Sequence, residues 1–165
     1  MTAREILPWP NPVLKATAAP VGEITDGVRN IWADMIDTME AMPGVGLAAP
    51  QIGVGLRLAV VDASEDRGRA IRIADPEILS VSDETKTHPE ASPNLPGVHA
   101  EVSRPAEVTV AFTDPHGVRV TQTFTGLWAT SVQHQIDHLN GRMFFDNLSR
   151  TKRDMLLKRA RKLGR

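Results

Sequence analysis

The segment from residue 132 to residue 141 constrains the fold of this chain most strongly, because it combines helical apolar spacing with two histidines. Residues four positions apart lie on the same side of an α-helix, so the side chains of His134 and His138 are expected to point in one direction. The other positions that define this helix are apolar: Ala129, Val132, Ile136 and Leu139. The spacing therefore predicts a buried helix over residues 127–140, which ends before Gly141.

Two histidines on a buried helix need partners for their ring nitrogens, and either a metal ion or a hydrogen-bond network can provide them. Helices of the His-Glu-x-x-His type bind a metal through both histidines and use the glutamate as a general base. In this chain Gln135 occupies the glutamate position, and a neutral amide cannot carry a proton. The spacing thus indicates a metal site, whereas Gln135 removes proton transfer from it.

The remaining secondary structure is predicted from apolar periodicity and from the positions of proline and glycine. Prolines make residues 1–23 irregular, and a helix is predicted from Thr25 or Asp26 to Pro43. Strands are predicted over residues 56–62, 71–74, 78–81, 107–112, 118–124 and 143–145, with a break at Asp75-Pro76. Small residues form a predicted tight loop over 44–51, residues 83–105 a long polar loop, and residues 149–162 a basic helix.

Composition restricts the classes of function. The chain has 165 residues and a formal net charge of −1, so we expect one domain over residues 1–165, without specific nucleic-acid recognition or membrane contact. It contains no cysteine, which excludes disulfides, thiolate metal ligands and a cysteine nucleophile. No signal peptide and no stretch of about 20 apolar residues is visible, so a cytoplasmic location is expected.

Three motifs give the sequence a resemblance to a known family. Residues 44–51, Gly-Val-Gly-Leu-Ala-Ala-Pro-Gln, are similar without mismatch to the first motif of the peptide deformylases. Residues 133–141 are similar to the third motif, Gln-His-Glu-x-Asp-His-Leu-x-Gly, except at Gln135. Residues 90–97 fall, without a gap, where the family has Glu-Gly-Cys-Leu-Ser and a following turn. The resemblance covers essentially the whole chain.

Resemblance to the peptide deformylases implies an α+β fold, with mixed and antiparallel sheets around a central helix that carries His134 and His138, and with a C-terminal helix. It implies removal of the formyl group from the N-terminal methionine of nascent bacterial proteins, with Fe²⁺ or Zn²⁺ held by two histidines and a cysteine. Gln51 then stands at the position of the side chain that stabilises the oxyanion. The residues that the resemblance places at the peptide-binding site are Gly44, Val45, Gly46, Leu47, Glu90, Arg104, Leu127, Thr130 and Ser131. Of these, Thr130 and Ser131 stand where bulkier or apolar side chains are usual.

The same resemblance shows that three chemical groups of the family are replaced. Ser92 occupies the position of the family's cysteine ligand. Because a hydroxyl is a poor ligand for metals that thiolate binds strongly, metal binding at Ser92 is expected to be weak or absent. Pro93 replaces a leucine whose backbone N–H contacts the oxyanion, and losing such a donor lowers the rate roughly 10²–10³-fold. Gln135 removes the general acid–base, which contributes roughly 10²–10⁴-fold.

Functions from different classes follow from these replacements. The first is a protein that keeps the family's cleft, has lost metal-dependent deformylation, and binds an acylated peptide or another amide-type ligand. The alternative is a divergent amide hydrolase that completes a metal site of two histidines with His88, Glu90 or water. A third possibility is contact with the ribosome through the basic C-terminal helix.

Overall fold

The fold is described by a computed structural model over residues 2–164. Its helices are α1 (Asp26–Ala41), α2 (Gly126–Leu139) and α3 (Arg150–Leu163). Its strands are β1 (Gly46–Ala48), β2 (Leu58–Val61), β3 (Ile71–Val81), β4 (Thr85–Glu90), β5 (Ala100–Pro105), β6 (Glu107–Thr113) and β7 (Arg119–Thr125). Short 3-10 helices lie at Pro12–Lys15, Ala49–Ile52 and Phe144–Asn147. None of the helices within residues 2–164 has the length and hydropathy needed to span a membrane.

The strands form two antiparallel sheets around α2. The larger sheet has the order β1-β2-β3-β6-β7, and β4 pairs with β5 in a separate two-stranded sheet. Alternate residues of β6 point towards the core, as expected for a strand with one buried face. One buried cluster joins these residues to α2: Val108, Val110, Phe112, Ala129, Val132 and Ile136. The fold is α+β, with antiparallel sheets around a central helix and a helix at the C-terminal end, as the resemblance implied.

Helix α1 begins where the sequence pattern predicts. The hydroxyl of Thr25 accepts a hydrogen bond from the backbone N–H of Val28 at 3.2 Å, which satisfies one of the unpaired donors of the first turn. Its inner face buries Trp32, whose indole N–H donates to the carbonyl of Ile73 on β3 at 3.2 Å. Because α1 also packs against β1 and β2, it supports the segment that contains the first motif.

Residues 83–105 do not form the predicted long loop. β4 and β5 pair from Thr85 opposite Pro105 to Glu90 opposite Ala100, which leaves residues 91–99 as the connection. The inward-facing positions of β5 include Arg104, which is buried but charged. A buried arginine interrupts the apolar alternation by which a strand is recognised, and this explains why the prediction was wrong.

β3 runs without interruption from Ile71 to Val81, through the Asp75-Pro76 pair that was predicted to break it. The carboxylate of Asp75 accepts hydrogen bonds from the backbone N–H groups of Val21 and Gly22, at 2.8 and 2.9 Å. Asp75 has a φ of 48°, and shifts in the pairing with β6 absorb the irregularity. The break in the sequence pattern is therefore a bulge within one strand.

Residues 143–145 do not form the predicted strand. The backbone N–H of Met143 donates to the Asp146 carboxylate at 2.9 Å, and the 3-10 helix Phe144–Asn147 follows. These apolar residues are buried in the core under α3, so their hydrophobicity reflects packing. The predicted tight loop over residues 44–51 also contains regular structure, namely β1 and the 3-10 helix Ala49–Ile52.

Candidate functional site

Helix α2 places the two histidines side by side in the interior. His134 and His138 are both buried, and their Nε2 atoms lie 3.1 Å apart. Their ring centroids are 4.9 Å apart, with the planes inclined by 60°. This arrangement follows from the spacing of four residues on a helix, as the sequence predicts.

Glu90 orients the ring of His134, since its Oε1 lies 2.8 Å from the Nδ1 of that histidine. Burial raises the pKa of Glu90, but hydrogen bonds from His134 and Arg104 lower it by more, so the pKa lies below its ordinary value. The carboxylate is therefore charged at neutral pH and accepts a hydrogen bond. Because a charged carboxylate can only accept, Nδ1 of His134 is the donor in this pair.

His138 is held as a neutral ring. Burial, and then the proximity of His134 and Arg104, lowers the pKa of His138 well below its ordinary value. Its Nε2–H can then donate to the Nε2 of His134 across the 3.1 Å separation. The buried Nδ1 of His138 is left without a hydrogen-bond partner within residues 2–164.

Arg104 fixes the position of the Glu90 carboxylate. Its guanidinium donates twice to the Glu90 carboxylate, at 2.7 and 2.9 Å, and once to Asp137 at 2.9 Å. The side chains of Arg104 and Glu90 are 7% and 4% exposed, so water has little access to this ion pair. Arg104 thus supports the site through Glu90, and of the two residues only Glu90 lines the cavity beside the histidines. Leu47, another predicted cleft residue, packs in the core beside α1.

A cavity of about 250 Å³ lies beside the histidine pair. Its lining joins residues from the first motif, the connection after β4, and α2. The predicted site residues that line it are Gly44, Val45, Gly46, Gln51, Glu90, Leu127, Thr130, Ser131, His134 and Gln135. Met42, Pro43, Pro89, Ala91 and Pro93 complete the wall. The structure thus brings most of the predicted cleft residues around one cavity, with polar groups on the helix side.

Gly46 allows β1 to lie directly against α2. A Cβ atom at this position would lie 2.5 Å from Ser131 Oγ and would also collide with the amide nitrogen of Gln135. The glycine is therefore required by close approach, and it permits the Gln135 side chain to lie at the cavity floor.

Gln51 and Ser92 are joined by Asn94 in a buried network. Oε1 of Gln51 accepts from the backbone N–H of Ala48 at 2.8 Å, and its Nε2 donates to Asn94 Oδ1 at 2.7 Å. The Ser92 hydroxyl donates to the same Asn94 oxygen at 2.9 Å, and lies 3.5 Å from Nε2 of Gln51. One N–H of Gln51 is thus occupied, and the proton of Ser92 is directed at Asn94.

The donor set fits only part of the metal site that the family implies. Two tetrahedral ligands at about 2.0–2.1 Å from zinc are separated by roughly 3.3 Å, close to the 3.1 Å between the histidine Nε2 atoms. Within residues 2–164, however, no group of three His, Cys, Asp or Glu residues is arranged to hold a metal ion. Glu90 is bound to Arg104 and His134, and His88 does not join the pair. The residues therefore do not provide the three protein ligands of a catalytic zinc-type site.

Arg67 supports the rim of the cavity and was not found from the sequence. Its guanidinium donates to the carbonyl oxygens of Gly44 and Asp62, at 2.6 and 2.8 Å. The backbone N–H of Asp62 in turn donates to the carbonyl of Val45 at 3.0 Å. The turn after β2 therefore holds the edge of the first motif.

The turn that carries Arg67 is organised by the buried carboxylate of Asp62. It accepts hydrogen bonds from the hydroxyl and backbone N–H of Ser64 and from the backbone N–H of Arg69. Burial raises the pKa of Asp62, but these hydrogen bonds lower it by more, and the pKa lies below its ordinary value.

Sequence reasoning also missed Asn94 and Asp137 as parts of the site. Asp137 lies inside the third motif and Asn94 two residues after Ser92, so position along the chain was an available signal for both. Arg67 gave no such signal, because its side chain reaches the first motif from a turn distant in the sequence.

Comparisons with known proteins extend over the whole chain. A profile of the family described as Polypeptide deformylase matches residues 3–154. The peptide deformylase of Brucella suis biovar 1 is 41% identical over 166 residues, which cover 99% of this chain and 95% of that protein. The peptide deformylase of Phenylobacterium zucineum is 42% identical over 164 residues, which cover 98% of this chain and 97% of that protein.

Solved structures agree with these relatives. A peptide deformylase from Legionella pneumophila superposes with a TM-score of 0.92 at 40% identity, over 99% of this chain and 96% of that one. The peptide deformylase from Ehrlichia chaffeensis in complex with actinonin gives a TM-score of 0.92 at 31% identity, over 100% and 99% of the two chains. Both the sequence and the fold are therefore similar to those of peptide deformylases over nearly the whole chain, and the chain belongs to the polypeptide deformylase family.

Proposed function

We propose that this member of the family binds an acylated peptide, or another amide-type ligand, in the cavity beside the histidine pair, without removing the acyl group. The hydroxyl of Ser92 carries the proposal. It donates its proton to Asn94 at 2.9 Å and stands at the position of a cysteine ligand in the family's second motif. His134 and His138 then lack a third protein ligand, so Fe²⁺ or Zn²⁺ is expected to be weakly held or absent.

Two further replacements support a binding role. Pro93 lines the cavity but has no backbone N–H to offer to an oxyanion. Gln135 lines it as well, and its amide cannot accept the proton of an attacking water. The two losses act on one chemical unit, so their effects on the rate need not multiply. The unaltered first motif keeps the cavity open for a ligand while the groups that would react with it are changed.

Calorimetry with an N-formyl-methionyl peptide, in the presence of a chelator, tests this proposal. Leu127 is 45% exposed at the cavity, and Leu127→Trp is expected to weaken binding at least roughly tenfold, or about 1.4 kcal/mol. Val118, 54% exposed and outside the cavity lining, provides the matched control, since Val118→Trp should bind like the wild type. Absence of binding, or equal weakening by both substitutions, contradicts the proposal.

The spacing of the histidine nitrogens favours a second function, metal-dependent amide hydrolysis. Nε2 atoms 3.1 Å apart suit one shared ion, and water would have to complete its coordination. The test is hydrolysis of the same peptide after addition of Fe²⁺ or Zn²⁺. Hydrolysis that His138→Ala abolishes favours the hydrolase, whereas binding without hydrolysis favours the first function.

A ribosome contact through α3 is also proposed. This helix carries the basic residues Arg150, Lys152, Arg153, Lys158, Arg159, Arg161 and Lys162. A protein that meets nascent acylated peptides would act in the cytoplasm, as one domain over residues 1–165. Co-sedimentation with ribosomes is the test: binding should weaken with added salt and with the substitutions Lys158→Glu and Arg159→Glu. Binding that is insensitive to both contradicts the contact.

A further inference from the structure

Asn94 connects three segments of the chain through one buried side-chain amide. Its Nδ2 donates to the carbonyl of Leu7 at 2.7 Å, and its Oδ1 accepts from Nε2 of Gln51 at 2.7 Å and from the hydroxyl of Ser92 at 2.9 Å. Asn94, Gln51 and Ser92 are all buried, so water has little access to these bonds. Donors and acceptors must therefore match within the network itself.

Two backbone groups determine the direction of the bonds in this network. The N–H of Ala48 can only donate, and it lies 2.8 Å from Oε1 of Gln51, which places Nε2 of Gln51 opposite Asn94. The carbonyl of Leu7 can only accept, so the Asn94 amide turns Nδ2 towards Leu7 and Oδ1 towards Gln51. Rotation of either amide by half a turn would oppose two donors or two acceptors at a buried contact, which is unfavourable.

The N-terminal segment also holds the backbone of both amide residues. The N–H of Leu7 donates to the carbonyl of Gln51 at 2.9 Å, and the N–H of Trp9 donates to the carbonyl of Asn94 at 2.8 Å. Each amide residue is thus held through its backbone and through its side chain. Oδ1 of Asn94 consequently stays directed at the side chain of Ser92.

The side chain at position 92 must therefore provide a proton. The hydroxyl of Ser92 does so at 2.9 Å, whereas its contact with Nε2 of Gln51 is long, at 3.5 Å. A thiolate cannot meet the same requirement, because an anion has only lone pairs to direct at Oδ1 of Asn94. A thiol must lose its proton to bind a metal ion, so the acceptor of Asn94 opposes the ionisation that ligation needs.

We propose that Asn94 is a positioning residue that holds position 92 as a hydrogen-bond donor, so that Ser92 and Asn94 together disfavour an anionic metal ligand there. Asn94 acts through the side chain at position 92, and this role does not depend on which ligand the cavity binds. A thiol introduced at position 92 is expected to keep its proton while Asn94 is present. Replacement of Ser92 alone should then recover only part of the metal affinity that a thiolate can provide.

Infrared spectroscopy of Ser92→Cys tests for this proton. The chain contains no cysteine, so the S–H stretching band of the variant reports position 92 alone. At neutral pH the folded variant should show this band, at a lower frequency than in the unfolded variant, because the thiol donates to Oδ1 of Asn94. Adding Asn94→Ser, whose hydroxyl can donate or accept, should shift or remove the band. Absence of the band while Asn94 is present, or a band that Asn94→Ser leaves unchanged, overturns the inference.

Zinc affinity measures the consequence in four proteins: the wild type, Asn94→Ser, Ser92→Cys and the combined variant. Each is titrated with Zn²⁺ in competition with a chromophoric chelator. Ser92→Cys should bind more tightly than the wild type, and the combined variant at least roughly tenfold more tightly still, about the effect of one hydrogen bond. Asn94→Ser alone should bind as weakly as the wild type, because the hydroxyl of Ser92 keeps its proton.

Thr38→Val in the Ser92→Cys background is the matched control. The buried hydroxyl of Thr38 also binds the N-terminal segment, since it accepts from the backbone N–H of Arg4 at 2.8 Å, but it lies on α1, away from position 92. The control should leave the zinc affinity of Ser92→Cys unchanged.

A purely structural role of Asn94 predicts that the combined variant binds zinc no more tightly than Ser92→Cys, because a loosened site does not gain affinity. That result, or an equal gain from Thr38→Val, overturns the inference. If Asn94→Ser does not fold, the infrared band of Ser92→Cys alone decides: its presence at the lowered frequency supports the role of Asn94, and its absence contradicts it.

Discussion

Removal of the Arg104 side chain is predicted to destabilise the fold more than removal of any exposed charged side chain. Its guanidinium is buried and donates to two carboxylates, those of Glu90 and Asp137. Arg104→Leu keeps an apolar stem but leaves the Glu90 carboxylate, 4% exposed, without its counter-ion. Breaking a buried pair from one side typically reduces the free energy of unfolding by about 3–5 kcal/mol. For a chain of this length, that corresponds to a fall in Tm of roughly 6–20 °C.

A double variant isolates the electrostatic part of this loss. Glu90→Gln removes the charge but keeps a carbonyl oxygen that can accept from Nδ1 of His134. Combined with Arg104→Leu, it should be less destabilising than the sum of the two single substitutions, by about 1–3 kcal/mol. Asp137 limits the recovery, because it also loses the hydrogen bond from Arg104.

Urea unfolding followed by circular dichroism measures these free energies, with Arg69→Leu as the matched control. Arg69 pairs with Asp66, and both side chains are largely exposed, so the control should be close to the wild type. A loss below about 1 kcal/mol for Arg104→Leu would refute the reasoning, since an uncompensated buried carboxylate must be more costly. Strict additivity in the double variant would equally refute the proposed dependence on Glu90.

Three further predictions follow from the cavity and its rim. Gly46→Ala should reduce the free energy of unfolding by about 1–3 kcal/mol, since its Cβ collides with Gln135, and Gln135→Ala should recover part of that loss in urea unfolding. The stability that Asp62 contributes through its lowered pKa should be lost as the pH falls below the ordinary Asp value of about 3.9, so Tm measured from pH 6 to 2 should fall less steeply in Asp62→Asn. A combined variant with Ala91→Gly, Ser92→Cys, Pro93→Leu and Gln135→Glu should hydrolyse a formyl-methionyl peptide, whereas the single substitutions should not, because ligand, base and donor act as a unit. An equal rate of hydrolysis in the wild type would contradict this prediction.

The central helix and its histidine pair were predictable because local spacing alone determines them. His134 and His138 face one another for the same reason that any residues four apart on a helix do. The hairpin of β4 and β5 was not predictable in this way, since its inward positions include Glu90 and Arg104, whose burial depends on pairing with each other. Polar residues that become buried as ion pairs look like loop residues until the fold brings the partners together.

The candidate site shows the same division between local and distant contacts. The motifs predicted most of the cavity lining, but not the contacts that occupy Ser92 and Gln51. Both side chains hydrogen-bond to Asn94, whose amide nitrogen donates to the carbonyl of Leu7, 87 residues earlier in the sequence. Contacts across such sequence distances depend on the whole fold, and so no local pattern reveals them.

The most direct test of the account measures metal content and turnover on the same sample. The protein is purified anaerobically, its iron and zinc are determined, and hydrolysis of an N-formyl-methionyl peptide is followed. The account predicts substoichiometric metal and no turnover above that of the buffer, because Ser92, Pro93 and Gln135 replace the ligand, the donor and the base. Stoichiometric iron or zinc together with rapid deformylation would contradict it.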